Sequence, residues 1–442
     1  MPLDPFSKLI HCSIRAVKRE VPSIVVNLLA PPYCALVSLG VFFPQVSLKL
    51  SSMSDQFGAE YYMIVLFILS RVLAFIVGLI IVAGTFISAL RTFVLPRGAP
   101  DIINRTVFIW VRRLFGLRAD RVQTFNERDR VMELYAPTTL VALLVAWLLC
   151  IQIGYMGMYW AVDAQFWYDI FKISGSSLLT LGFTLVDNFP TTLLVFSEAT
   201  LGLILIALLI AYLPTIYTAF SRREEAVTLL EIRAGSPPSA VEMISRYHRL
   251  QRLEMLGTEI WVPWEVWFVD NEESHTSLAV LSFFRSPQPH RSWVTAAGAV
   301  LDAASLVSSS VDIPRDTRAD LCIRAGYLSL RYIASFFRIP YNPHPASTDP
   351  ISITRAEFDA ALDKLAEAGV PLKPDRDQAW RDFAGWRVNY DTVLLALAEL
   401  VIAPPAPWSS DRQLITAPPI ILRWRKGHKL VETHEWIPPS GT

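Results

Sequence analysis

The chain has 442 residues, of which 52% are hydrophobic and 18% are charged, and its mean hydropathy is +0.37. This composition is too apolar for an ordinary soluble domain, yet the second half carries a normal share of charge, which indicates a membrane domain followed by a cytosolic one. The formal net charge of zero averages two unlike halves. The net charge therefore gives no evidence for or against nucleic-acid binding. We expect no nucleic-acid partner.

Four apolar stretches are candidates for membrane spans, because a helix needs about 20 apolar residues to cross a bilayer. Residues 61–90, 135–160 and 193–213 qualify clearly. Residues 24–43 contain a proline pair, which membrane helices tolerate when neighbouring groups satisfy the freed carbonyls. We predict an all-α membrane protein with four transmembrane helices.

Basic residues in short loops predict the orientation of these spans. Arginines recur between residues 91 and 130, and further basic residues precede the first span and follow the last. With four spans, all of these clusters fall on one side. We therefore expect a multi-pass protein of the cell membrane with both termini in the cytosol. The four cysteines lie far apart, so no metal site or cofactor is expected.

A short polar segment joins the last two predicted spans. It reads Ser174-Gly175-Ser176-Ser177-Leu178-Leu179-Thr180-Leu181-Gly182-Phe183-Thr184. An aromatic-rich amphipathic stretch precedes it, and a full-length apolar helix follows it. We expect residues 165–179 to form a short helix that dips back into the membrane as part of a re-entrant pore loop.

This segment resembles the pore loop of the tetrameric potassium-channel family, whose best-known filter reads Thr-Val-Gly-Tyr-Gly. The resemblance covers residues 135–220, as an outer helix, a pore loop and an inner helix. It implies that the backbone carbonyls of residues 180–183, with the Thr180 hydroxyl, replace the water shell of a cation. One loop per chain implies a homotetramer with permeant potassium in the filter. We expect that the chain is not an enzyme.

Thr184 stands where the family has its second glycine. Cyclic-nucleotide-gated relatives with Thr-Ile-Gly-Glu-Thr at this place pass several monovalent cations. Potassium conduction is the favoured expectation, and a non-selective monovalent cation channel is the alternative. From another class, the alternative is a membrane-anchored helical scaffold or sensor in which nothing permeates. An ion-coupled transporter is disfavoured because no internal repeat with broken helices is recognisable.

Acidic and flexible positions flank the predicted filter. Asp187 and Glu198 are expected at the outer mouth, where carboxylates concentrate cations. Glu198 lies beside an apolar run, so its alternative role is to brace the filter from behind. Gly202, Tyr212 and Pro214 mark the predicted hinge or gate of the inner helix. Alternatively, Pro214 only marks the end of the membrane span.

The predicted domain organisation has four parts. Residues 1–131 hold the N-terminal segment, two spans and the basic loop, and residues 132–220 form the pore module. Residues 221–403 form an α-rich cytosolic domain, and residues 404–442 form a loosely structured tail.

Apolar periodicity predicts the helices of the cytosolic domain. The helical stretches are residues 240–256, 293–308, 318–337, 355–368 and 378–401, and a strand-like run covers residues 279–284. The last helix of the pore module is expected to continue into this half and to stop at Gly235, with Ser239 capping the next helix. The acidic run from Asp270 to His275 is expected as a surface loop.

Overall fold

The structure is a computed structural model that describes residues 44–93, 101–119, 121–122, 124–163 and 165–412, with side chains from residue 62 onward. The described residues form helices and turns, and the only bridge among them is an isolated antiparallel pair, Val311 with Leu372. The predicted all-α class is confirmed for this part of the chain. The predicted span at residues 24–43 lies outside the described residues.

Three helices are long and apolar enough to cross a membrane. They are α1 (Pro44–Phe93), α4 (Tyr135–Val162) and α6 (Phe189–Ala234). Each contains one of the three stretches that the sequence marked clearly as a span. The chain therefore has three candidate membrane-spanning helices among its described residues.

Two shorter helices precede α4. They are α2 (Ile102–Ala119) and α3 (Phe125–Glu133), and they occupy most of the stretch that was expected to be a basic loop. Thr124 caps α3, because its side chain accepts a hydrogen bond of 3.4 Å from the backbone N–H of Glu127. The basic character was recognised from the sequence, and the helical conformation was not.

A short helix, α5 (Trp167–Leu178), follows α4. It corresponds to the helix predicted over residues 165–179, which is confirmed as a helix, while its depth in a membrane stays a prediction. Helix α6 then runs without a break to Ala234, and Gly235 follows with a φ of +82°. Ser239 caps the next helix. The predicted continuation and stop are both confirmed.

The second half of the chain is helical. Its α-helices are α7 (Ala240–Arg249), α8 (Val262–Ser277), α9 (Trp293–Ser310), α10 (Thr317–Phe336), α11 (Arg355–Glu367), α12 (Arg376–Arg387) and α13 (Asp391–Val401). Short 3-10 and π turns lie at Leu253–Met255, Gly257–Trp261 and Ala279–Phe283. Helix α9 is buried along almost its whole length and forms the centre of this C-terminal domain.

Several sequence predictions are wrong in this domain, among them the helix over residues 240–256, since α7 ends at Arg249 and a separate 3-10 turn lies at Leu253–Met255. The stretch 279–284, expected as a strand, contains the 3-10 turn Ala279–Phe283, and residues 280–283 are buried in succession, so no alternating face exists. Residues 270–275 lie in α8 rather than in a surface loop, and the His275 side chain is fully buried. The helix predicted over residues 378–401 is divided into α12 and α13.

Internal contacts divide the chain after Ala74, within α1. In the second unit, one hydrophobic core includes residues of the C-terminal domain and residues of the apolar helices α4 and α6. Tyr135 of α4 and Tyr212 and Ile216 of α6 belong to the same cluster as α9 and α13. The domain boundaries predicted from the sequence stay a prediction.

Candidate functional site

The segment between α5 and α6 folds back onto the C-terminal end of α5. The carbonyl oxygen of Ser176 accepts hydrogen bonds from the backbone N–H groups of Leu181 at 2.8 Å and Gly182 at 3.4 Å. The Ser176 hydroxyl oxygen accepts from the N–H groups of Phe183 at 3.0 Å and Thr184 at 3.3 Å. One serine thus receives four consecutive N–H groups.

The carbonyl oxygens of residues 180–183 differ from the N–H groups, because they have no hydrogen-bond donor among the described residues. The N–H of Thr180 donates to Ser177 at 2.9 Å, which completes a run of donors over residues 180–184. Within the part of the chain that the structure describes, no group donates a hydrogen bond to the carbonyl oxygens of residues 180–183. Unpaired backbone acceptors need water or a ligand, and a cation is one ligand that carbonyl oxygens can bind.

Backbone conformation explains how the donors converge. Thr180 has a φ of +54° and Gly182 a φ of +69°, whereas Leu181 and Phe183 have no positive φ. Residues whose φ alternates in sign can aim successive N–H groups at one point, as in backbone nests. Thr180 is β-branched, and holding such a residue in the left-handed region costs about 1–3 kcal/mol. This cost indicates that the surrounding hydrogen bonds impose the conformation.

The segment is exposed on a single copy of the chain. The side chains of Leu181 and Phe183 are 60% and 62% exposed, and a Cβ on Gly182 would meet nothing within 4 Å. Asp187 is also exposed. Large apolar side chains presented beside unpaired carbonyls form a surface that another copy of the chain can cover.

Glu198 lies in the interior of the protein, among α4, α5 and α6. Its side chain is fully buried. Its carboxylate accepts hydrogen bonds from the Tyr159 hydroxyl at 2.7 Å and from the Ser174 hydroxyl at 2.6 Å. Both expectations for Glu198, a place at the outer mouth and a role in bracing the filter, stay predictions. A single carboxylate joins α4, α5 and α6.

The two ends of the loop are tied together by the side chains of Asp163, Gln165 and Asn188. One Asp163 carboxylate oxygen accepts from the Gln165 amide at 2.8 Å and from the Asn188 amide at 3.2 Å. Asn188 also caps α6, accepting from the N–H of Thr191 at 2.8 Å. The ends of the segment are therefore fixed independently of Ser176.

Gly202 allows α6 to approach the end of α5. A Cβ at this position would lie well inside the van der Waals distance of the Leu178 carbonyl oxygen. Helix α6 continues through both Gly202 and Pro214. Tyr212 is buried and packs edge-on against Phe93, with ring centroids 4.8 Å apart. The packing requirement explains the glycine, while a hinge at these positions stays a prediction.

Beyond these positions α6 enters the C-terminal domain, where it is held by Arg223. This side chain is 2% exposed, and its guanidinium donates to the carbonyl oxygens of Leu281 and Phe284, both at 2.8 Å. It also pairs with Glu224 and lies 3.3 Å from Nε2 of His275. Burial, followed by the charge of Arg223, holds the pKa of His275 well below its ordinary value.

The described residues contain no group of three or more His, Cys, Asp or Glu side chains placed to hold a metal ion. No family model, no curated protein and no solved structure matches the chain. The likeness of residues 174–184 to pore loops therefore stays a sequence resemblance.

Proposed function

We propose that the chain is a homotetrameric cation channel with a backbone-carbonyl filter at residues 180–183. In this proposal α4 is the outer helix, α5 is the pore helix of a re-entrant loop, and α6 is the inner helix. Potassium is the conducted ion, and a non-selective monovalent cation channel is the alternative at the same site. Ions cross passively down their gradient.

The observation that carries the proposal is the separation of donors and acceptors along the filter segment. Its N–H groups are bonded to α5, whereas no group among the described residues donates a hydrogen bond to the carbonyls of residues 180–183. Removing water from a cation is costly, and closely spaced carbonyls on a common axis can replace that water. One chain supplies one wall of such a site, and four copies supply a ring.

The exposed surface around the segment supports assembly. Irregular backbone at membrane depth is tolerated only where protein or water surrounds it. The carbonyls that no described group satisfies cannot face lipid, where nothing would donate to them. Packing against other copies would cover the apolar side chains and leave the carbonyls on a water-filled axis.

The continuity of α6 supports regulation by the C-terminal domain. The helix passes from the candidate filter to Arg223, which is buried and bonded to the turn and loop that follow α8. A displacement of that domain would therefore move the end of the inner helix. No ligand for this domain follows from its described residues.

A flux experiment tests the proposal. The full chain is reconstituted in liposomes, and the fluxes of potassium, sodium and chloride are compared for the wild-type protein, Gly182→Ala and Gly84→Ala. Gly182 has a positive φ, which a Cβ disfavours, whereas Gly84 has open space and no positive φ. The proposal predicts cation flux in the wild type and in Gly84→Ala, and its loss in Gly182→Ala.

Native mass measurement of the same preparations supplies the stoichiometry. A dimer or a trimer would contradict the proposal, because one loop per chain could not close the ring. Chloride flux, or cation flux unchanged by Gly182→Ala, would contradict the filter. A monomer with no flux would favour the membrane-anchored scaffold or sensor. Equal potassium and sodium flux would identify the non-selective alternative.

A further inference from the structure

Helix α2 presents an apolar stripe that no described residue covers. Trp110, Leu114 and Leu117 are 59%, 62% and 65% exposed. They are spaced by four and three residues, so they lie on one face of the helix. Three large apolar side chains on one helix face form a patch that needs an apolar partner.

The stripe is flanked by cations. Arg113 and Arg118 are exposed on the same side, and the guanidinium of Arg113 lies 5.8 Å from the centre of the Trp110 ring. Helix α2 contains no acidic residue. An exposed apolar stripe with arginines on its borders complements the boundary between anionic headgroups and acyl chains.

The opposite face of α2 packs on the protein. Val111 is buried, and the ring of Phe115 packs edge-on against Tyr135 at the start of α4. Arg112 donates a hydrogen bond of 2.9 Å to the carbonyl oxygen of Leu400 in α13. Helix α2 thus contacts both the first turn of a candidate span and the C-terminal domain.

The order of elements also locates α2. It follows α1 and precedes α4, two helices that can each cross a membrane, and it packs against the end of α4 nearest to the C-terminal domain. Where these two helices cross a membrane, a helix in this position lies beside its surface. Its exposed face is the one available to lipid.

We propose that α2 is an interfacial helix that binds an anionic lipid leaflet. Trp110, Leu114 and Leu117 insert at the headgroup and acyl boundary, while Arg113 and Arg118 bind lipid phosphates and anionic headgroups. Through Arg112 the buried face links the lipid-bound helix to the C-terminal domain. This inference requires a membrane-spanning chain and does not require conduction.

Lipid photocrosslinking tests the inference. The full chain is reconstituted in vesicles that carry a trace of photoactivatable phosphatidylglycerol or phosphatidylcholine, and the labelled peptides are identified by mass spectrometry. We expect residues 110–118 to be labelled several-fold more by the anionic lipid. Each basic residue near an anionic surface contributes about fivefold in lipid preference, so the double variant Arg113→Gln with Arg118→Gln should remove most of the enrichment.

Two control variants separate charge from folding. The double variant Arg113→Lys with Arg118→Lys keeps the charges and should retain the enrichment. Arg249→Gln removes an exposed arginine that pairs with Glu242 in the C-terminal domain and should change nothing. Gel filtration checks that each variant elutes at the same size as the wild-type protein before the labelling is compared.

Equal labelling of residues 110–118 by the two lipids would overturn the inference. Absence of lipid labelling there, with the exposed face of α1 labelled, would also overturn it. Crosslinks from this helix to another protein chain in place of lipid would show that the stripe is a protein interface. Enrichment retained in the glutamine variant would contradict the role of the two arginines.

Discussion

The carboxylate of Glu198 accepts a hydrogen bond of 2.6 Å from the hydroxyl of Ser174, and this bond joins α6 to α5 in the interior of the protein. The same carboxylate receives the Tyr159 hydroxyl from α4. Three helices of the candidate pore module therefore meet at one side chain. Two residues along α5, Ser176 holds the N–H groups of the candidate filter.

Removing this carboxylate should destabilise the module. Glu198→Ala leaves two buried hydroxyl donors unpaired, and each unpaired donor lowers the free energy of unfolding by about 1–3 kcal/mol. We expect a lower thermal unfolding temperature and loss of cation flux. Glu198→Gln should retain most of the stability, because an amide can accept from one hydroxyl and donate to the other. Alanine at the exposed Glu225 on the same helix is the control. A wild-type unfolding temperature in Glu198→Ala would contradict this account.

The Ser176 hydroxyl should control ion selectivity. Ser176→Ala removes the acceptor of the Phe183 and Thr184 N–H groups, at a cost of about 1–3 kcal/mol for each unpaired donor. The bonds to the Ser176 carbonyl remain, so we expect the protein to assemble and to lose its preference for potassium over sodium. Flux ratios in liposomes measure this change.

Thr276→Ala is the matched control for Ser176→Ala. Among the described residues, the Thr276 hydroxyl bonds within α8, to the carbonyls of Glu272 and Glu273. Its removal should leave the flux ratio unchanged. If Ser176→Ala keeps the wild-type ratio, the serine does not hold the filter.

The same substitution should have opposite effects at two glycines. In a helix, Gly→Ala gains up to about 1 kcal/mol from propensity. At Gly202 the added Cβ meets the Leu178 carbonyl oxygen, and forcing α5 and α6 apart costs about 1–3 kcal/mol. At Gly84 it meets nothing within 4 Å. We expect the unfolding temperature to fall in Gly202→Ala and to hold or rise in Gly84→Ala. A rise in both would show that α6 does not pack closely on α5.

The buried His275 should make stability depend on pH. Burial and the adjacent Arg223 lower its pKa in the folded protein, so it stays neutral there. In the unfolded chain it takes up a proton below about pH 6.5. The stability contributed by the neutral ring is therefore complete above that pH and is lost as the pH falls below it. The groups facing the ring are Arg223, Ser274 and Trp293.

Thermal unfolding at about pH 8 and about pH 5.5 measures this dependence. We expect His275→Gln to have a smaller difference between the two unfolding temperatures than the wild type has. His248→Gln changes a partly exposed histidine of the same domain and should keep the wild-type difference. An undiminished difference in His275→Gln would contradict the account of the buried ring.

Helices with clear caps and apolar periodicity could be predicted closely. Helix α9 was expected at residues 293–308 and spans Trp293–Ser310, and α10 was expected at residues 318–337 and spans Thr317–Phe336. Ser292 caps the first of these, so a local signal marked its start. Local information was sufficient in such cases.

The missed features depend on distant contacts. The division between α12 and α13 falls next to Tyr390, which is buried and bonded to Asp302 and Ser305 of α9. Nothing in the local sequence identifies those partners. Helix α2 was taken as a basic loop because its arginines dominate the composition and hide its stripe. Its buried face becomes evident only from packing.

The candidate filter was recognised from its residue types, whereas its support was not. The pattern Thr-x-Gly-aromatic identified residues 180–184, and it gave no reason to single out Ser176 among neighbouring serines. That role depends on the chain turning back over α5. Glu198 could not be oriented from the sequence, because an acidic residue beside an apolar run fits both an exposed mouth and a buried brace.

The most direct test is to locate cations in the assembled protein. Anomalous diffraction from crystals of the full chain grown in thallium would mark monovalent cation sites. The account predicts a column of sites on a fourfold axis, ringed by the carbonyl oxygens of residues 180–183 from four copies. Carbonyls that face lipid or a packed protein interior, with no thallium on any axis between copies, would contradict it.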